Sequence, residues 1–131
     1  MTIISREVEI QDKLSTIFEE LMDQKELIRD ELVQSRQSYK QICDKHIFSG
    51  FSSELEWMDA TEHHEQKFRE YDVHCYLIDV LSDYRDIEGC FPEYIDMLAN
   101  VENIMIKFAN EEQYEISAII KLWLNKLIKS L

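Results

Sequence analysis

From residue 5 to residue 46 the chain reads "SREVEIQDKLSTIFEELMDQKELIRDELVQSRQSYKQICDKH", without a glycine or a proline. Ile10, Leu14, Ile17, Leu21, Ile28 and Leu32 recur at steps of three, four and seven, and Tyr39, Ile42 and Cys43 extend the series. That is the period of one helix face. A single helix of about forty residues would measure about 60 Å at 1.5 Å per residue. This exceeds a compact domain of such a size, so a break is expected near Asp23–Lys25 or Ser35–Ser38.

"IFSGFSSE" is the first loop, centred on Gly50. Ser53 with Glu56 makes a capping-box pattern, in which each side chain serves an orphan amide at a helix start. A short helix carrying Leu55, Trp57 and Met58 is expected there, with a kink in the polar run "DATEHHEQK". A long helix over about 62 to 86 should then bury Val73, Leu77, Val80, Leu81 and Tyr84. Gly89 can end it, and Pro92 fits the first turn of the next helix, where its missing N–H costs nothing. Tyr94, Leu98, Val101, Met105 and Phe108 mark a clean amphipathic helix. Asn110 with Gln113 repeats the capping-box pattern, and a last helix buries Ile116, Ile119, Ile120, Trp123, Leu127 and Leu131. Its lysines, Lys121, Lys126 and Lys129, lie toward the C-terminus, where the helix dipole favours cations. That apolar face could also lie on a membrane. A domain this small needs it for its own core, which makes core packing the favoured reading. The pattern as a whole predicts an all-α fold, one domain over residues 1–131, built as a bundle of about five helices.

Composition supports this. The 131 residues suit one domain, and 45% hydrophobic content can build a core. Two glycines and one proline are too few for a turn-rich β architecture. Cys43, Cys75 and Cys90 cannot all pair within one chain, so free thiols in a reducing compartment are expected. "MTIISREVEI" has no apolar run of the signal-peptide kind, and no uncharged stretch approaches the roughly 20 residues of a membrane span. The expected location is cytoplasmic, without membrane contact.

Charge changes the picture most. The net charge is −13, and residues 54–102 carry fourteen acids against three bases, which is −11. Within that segment Glu65, Asp72, Asp79 and Asp86 fall at intervals of seven, with Asp83 beside them. On a straight helix such a series drifts only about 20° per heptad, so it forms one stripe, well away from the apolar one. Free nucleic acid is a poor ligand for this surface, because phosphate binding depends on Lys and Arg. A basic protein partner is its natural complement.

Candidate chemistry is sparse. Arg69 and His74, in "REYDVH", have the R-x4-H spacing and resemble the paired residues of the HEPN ribonucleases, which are all-helical domains of similar length. That resemblance implies an Arg and a His facing an RNA backbone. It covers six residues and departs from the common form in placing Glu70 after the Arg. With five arginines and four histidines, chance alone supplies about half a match to such a loose spacing. The two Cα positions also lie about 140° apart around an ideal helix. The residues themselves read as an Arg paired with a carboxylate and a His at the edge of the core.

"EHHE", residues 62–65, resembles hemerythrin-type bundles, but no Glu stands three residues before a His. Cys43-x2-His46 is half of a zinc pattern, with His74–Cys75 as a conceivable other half. The chain contains no phosphate-binding glycine loop and no G-x-S-x-G. No catalytic residue, metal or cofactor is expected. The favoured reading is a non-catalytic acidic helical protein that neutralises or chaperones a basic protein. An immunity protein or antitoxin inhibiting a cationic nuclease toxin fits best, through Glu65, Asp72, Asp79, Asp83 and Asp86. A secretion chaperone and a HEPN-like ribonuclease using Arg69 and His74 are the alternatives.

Overall fold

Four helices make up most of residues 3–131, the part of the chain that the computed structural model describes, with side chains from residue 6 onward. They are α1 (Ile3–Phe48), α2 (Glu54–Ser82), α3 (Tyr94–Asn110) and α4 (Tyr114–Lys129). No strand occurs among the described residues. The fold is therefore all-α, with four helices where about five were expected.

The count drops because two expected interruptions are absent. α1 runs unbroken for 46 residues, or about 69 Å at 1.5 Å per residue. Asp23–Lys25 and Ser35–Ser38, where a break is expected, stay helical, and the later part of α1 forms a seam with α2. Glu31 pairs with Lys67, Ser35 Oγ lies 3.2 Å from His64 Nδ1, and Tyr39 stacks on His64 with ring centroids 5.2 Å apart. The "DATEHHEQK" run is likewise continuous helix within α2. These contacts pair early residues of α2 with late residues of α1, so the two helices are antiparallel.

The core lies at the other end. Ile10, Leu14, Phe18 and Leu21 of α1 pack with Val73, Leu77 and Leu81 of α2, Met97, Leu98 and Val101 of α3, and Ile120, Trp123, Leu124 and Leu127 of α4. Beyond Leu21, α1 buries only Ile28 and His46, and α2 has no buried residue before Val73. The molecule is thus a four-helix bundle from which α1 and α2 continue as a two-helix arm.

Both hairpin turns are Schellman motifs, in which the last carbonyls of a helix are capped by amides beyond it. At the arm tip Phe51 N–H donates to His46 O at 2.9 Å and Gly50 N–H to Ile47 O at 3.1 Å. Gly50 has the required left-handed φ of +68°, and the ring of Phe51 meets His46 edge-on at 5.2 Å. Between α3 and α4, Gln113 N–H donates to Phe108 O at 2.8 Å and Glu112 N–H to Ala109 O at 3.1 Å. There the left-handed position is held by Glu112, at φ +62°. Neither expected capping box forms. Ser53 is the N-cap of α2 but makes no side-chain cap bond, and Glu56 pairs with Lys45 instead. Asn110 belongs to α3, and Gln113 is the N-cap of α4.

α2 ends at Ser82, earlier than expected, and residues 83–93 form an ordered connection pinned to α1. Gln11 clamps Phe91 with both ends of its amide: Nε2 donates to Phe91 O at 2.9 Å, and Oε1 accepts from Phe91 N–H at 2.6 Å. Ser15 Oγ donates to Gly89 O at 3.1 Å. The clamp holds the Phe91 ring in the core, 5.8 Å from that of Phe18, under the guanidinium of Arg85. Gly89, at φ +82°, lies inside this connection, and Pro92 precedes the N-cap Glu93 of α3.

Candidate functional site: the acidic face of α2

Three members of the expected acidic row lie on one face of α2. Glu65, Asp72 and Asp79 are exposed there at heptad spacing, and Asp83, also exposed, is the C-cap residue one turn further on. Asp86 is not on this helix. It is exposed, but its Oδ1 accepts the Cys90 N–H at 2.8 Å while its own N–H donates to Cys90 O at 2.9 Å. It closes the α2–α3 connection. The helical projection placed it in the row because nothing in "SDYRD" announces the helix end.

None of the five carboxylates takes part in an ion pair among the described residues. The α2 carboxylates that do find cations lie elsewhere on the helix: Glu56 meets Lys45 at 2.9 Å and Glu70 meets Lys67 at 3.3 Å. Lys67 also bonds Glu31, and that bond, assisted by Glu70, holds its ammonium pKa above the ordinary 10.5 despite opposing desolvation. The bases near the row are thus committed, and the row itself is uncompensated charge. Asp79 and Asp83 stand one turn apart, where like charges repel at a small cost in stability, while the other members are spaced two turns apart.

Arg69 and His74 do not form a joint site. His74 is 5% exposed, and Trp123 Nε1–H donates to its Nε2 at 3.1 Å. An indole nitrogen can only donate, so Nε2 is the acceptor and Nδ1 carries the proton given to Glu70 O at 2.7 Å. Both ring nitrogens are occupied, and the ring meets the Trp123 indole edge-on at 5.9 Å. Arg69 is exposed and lies 3.6 Å from Glu115 of α4. The pair therefore consists of a core histidine bonded to Trp123 and an arginine in a surface ion pair.

The other candidate ligands are separated too. Cys43 accepts the Trp57 indole N–H at 3.3 Å, and His46 stacks on Trp57 at 5.4 Å, both within the arm. His74 and Cys75 lie on the core stretch of α2. His64 is engaged with Ser35 and Tyr39, and His63 is exposed. Among the described residues no three His, Cys, Asp or Glu side chains are grouped to hold a metal ion. All three cysteines are free thiols, and among the described residues no helix is long and apolar enough to cross a membrane.

The apolar character of the arm tip was missed in the sequence. The arm tip carries exposed Ile47, Phe48, Phe51, Leu55 and Met58. "IFSGF", apolar residues straddling a turn glycine, is the signal that marks it. No protein-family model, curated protein or solved structure matches the chain.

Proposed function

We propose that the protein is a non-catalytic binding protein that engages a basic protein partner through the acidic face of α2. The observation that carries this reading is the row Glu65, Asp72, Asp79 and Asp83, exposed and without an ion-paired cation among the described residues. A self-repelling surface finds use where it steers a cationic partner or occupies a groove meant for nucleic acid. An immunity protein or antitoxin against a cationic nuclease toxin is the role that best suits such a surface, and a secretion chaperone of a basic protein would use it in the same way. The ribonuclease alternative finds less support, because both nitrogens of His74 are bonded inside the core.

The test begins with affinity purification from the native host, followed by association kinetics with the basic protein recovered. Reversal of Asp72, Asp79 and Asp83 to Lys should slow association at low salt and leave the helical spectrum intact. The difference should shrink as salt rises, since exposed charges act over about 8 Å at physiological ionic strength. Rim charges act chiefly on the on-rate. Unchanged rates in the triple variant would reduce the acidic face to a solubility feature.

A further inference from the structure

The two-helix arm ends in a cap of bare apolar side chains. Phe48 keeps 89% of its area in water, Leu55 80%, Phe51 68%, Ile47 57% and Met58 53%. Taking about 200 Å² for a fully exposed side chain of this size, the five expose roughly 600–700 Å². The largest apolar patch on an ordinary monomer is about 300–600 Å² and is often functional, which puts this tip at the upper end of that range. It falls short of the roughly 800 Å² per partner in a standard interface. A stable contact here needs its rim as well.

The tip turn carries a local cost. Phe51, a residue with a Cβ, takes the left-handed φ of +66° directly after Gly50. Beneath it the ring of His46, 8% exposed, is stacked on Trp57, and its Nδ1 is buried without a hydrogen-bond partner. A strained backbone and an orphaned buried nitrogen each cost stability, and such costs gather where a surface has work to do.

The rim decides the occupant. Helix spacing puts Asp44 one turn from Ile47 and Phe48, Asp59 one turn from Leu55, and Glu54 and Glu62 one turn from Met58. All four are exposed and unpaired among the described residues, whereas Lys45 is tied to Glu56 at 2.9 Å. A second copy would bring the same four carboxylates, Asp44, Glu54, Asp59 and Glu62, to the contact, and an anionic lipid surface would be repelled in the same way. We propose that the arm tip docks a cationic amphipathic segment of a protein partner. Its apolar face would lie on Phe48, Phe51, Leu55 and Met58, and its Lys or Arg residues on the rim. This rests on the basic-partner reading and adds an apolar anchor at the arm tip, with Leu55 about 15 Å along α2 from Glu65, where the acidic row begins.

The experiment uses the full chain and two synthetic 18-residue peptides. One is a helix with segregated Leu and Lys faces, and the other has the same lysines with Ser in place of Leu. The wild type should bind the Leu/Lys peptide more tightly. A double variant, Phe48→Ser with Leu55→Ser, should bind it at least tenfold more weakly and bind the Lys/Ser peptide unchanged. Both replaced residues are largely in water, so helicity should persist. In ¹H–¹⁵N spectra the Trp57 indole N–H should shift on titration with the Leu/Lys peptide, while that of buried Trp123 stays put. Equal affinity of wild type and double variant for the Leu/Lys peptide would overturn the proposal. So would sedimentation showing a wild-type dimer that the double variant abolishes, because the occupant would then be a second copy. The acidic-row reading fails separately, if reversal of Asp72, Asp79 and Asp83 leaves binding of the Lys/Ser peptide unchanged.

Discussion

Replacing Glu112 by glycine should make the protein more stable. Glu112 occupies the left-handed position of the α3–α4 Schellman turn, at φ +62°. An L-residue there brings its Cβ against the backbone, at about 1–2 kcal/mol. Glycine removes that strain but loses more chain entropy on folding, which returns about 0.5–1 kcal/mol. Dipole effects add little, because Glu112 lies between the C-terminal end of α3, which disfavours its charge, and the N-terminal end of α4, which favours it, each by about 0.3–1 kcal/mol at an exposed site. The balance is about 1 kcal/mol in favour of Glu112→Gly, or roughly 3–5 °C in Tm for a chain of this size. Gly50 provides the mirror experiment. It occupies the same position in the arm-tip turn at φ +68°, and a Cβ there would meet nothing within 4 Å. Gly50→Ala therefore isolates the backbone term and should destabilise by about 1 kcal/mol. Urea unfolding followed by helical ellipticity measures both, and the midpoints should move in opposite directions with unchanged slope. Glu112→Gly that lowers the midpoint would refute the strain argument and point to a contact made by the Glu112 carboxylate.

Trp123→Phe leaves His74 Nε2 buried without its donor and should cost about 1–3 kcal/mol in urea unfolding, beyond any packing loss. Combining it with His74→Phe should cost less than the two single changes added together. Arg69→Ala removes only an exposed pair with Glu115 and should shift stability by less than about 0.5 kcal/mol; purified protein should not cleave RNA, and cleavage lost in that variant would restore the ribonuclease reading. Lys67 has its pKa raised above 10.5 by Glu31 and Glu70. Its contribution should be fully present below pH 10.5 and lost as pH rises through the higher folded value, so the stability gap between wild type and Lys67→Met should close in alkaline titration.

The helical class was legible because burial imposes its period on the sequence: Ile10, Leu14, Leu21, Val73, Leu77, Leu98, Val101, Ile120 and Trp123 were all picked out by spacing and all lie in the core. Phe18, Phe91, Met97 and Leu124 were missed. Phe91 owes its burial to a clamp by Gln11, eighty residues away, which no local window contains. The helix breaks were misjudged for a related reason. Residues 29–46 of α1 and 54–62 of α2 pack mainly against one another, so their apolar stripe thins while the hydrogen-bonded backbone continues. Leu131 and Asp86 lie beyond the ends of their helices, where a periodic projection no longer applies. The acidic row could be read as a row, because heptads stay in register on any straight helix. Its binding role has no such internal signature, since a partner leaves no period in the chain it binds.

The uninterrupted α1 joins two regions of very different local stability. Amides between about Ile10 and Leu21 lie over the bundle core and should exchange with solvent only when the whole bundle unfolds. Those past Ile28 are covered by α2 alone and can open while the bundle persists. Amide exchange along this single helix should therefore fall into two classes, with the step near Ile28. The arm then behaves as a cooperative unit of its own, and a partner that clasps its tip would slow exchange in residues 30–48 and 54–70 while leaving the bundle's rates untouched.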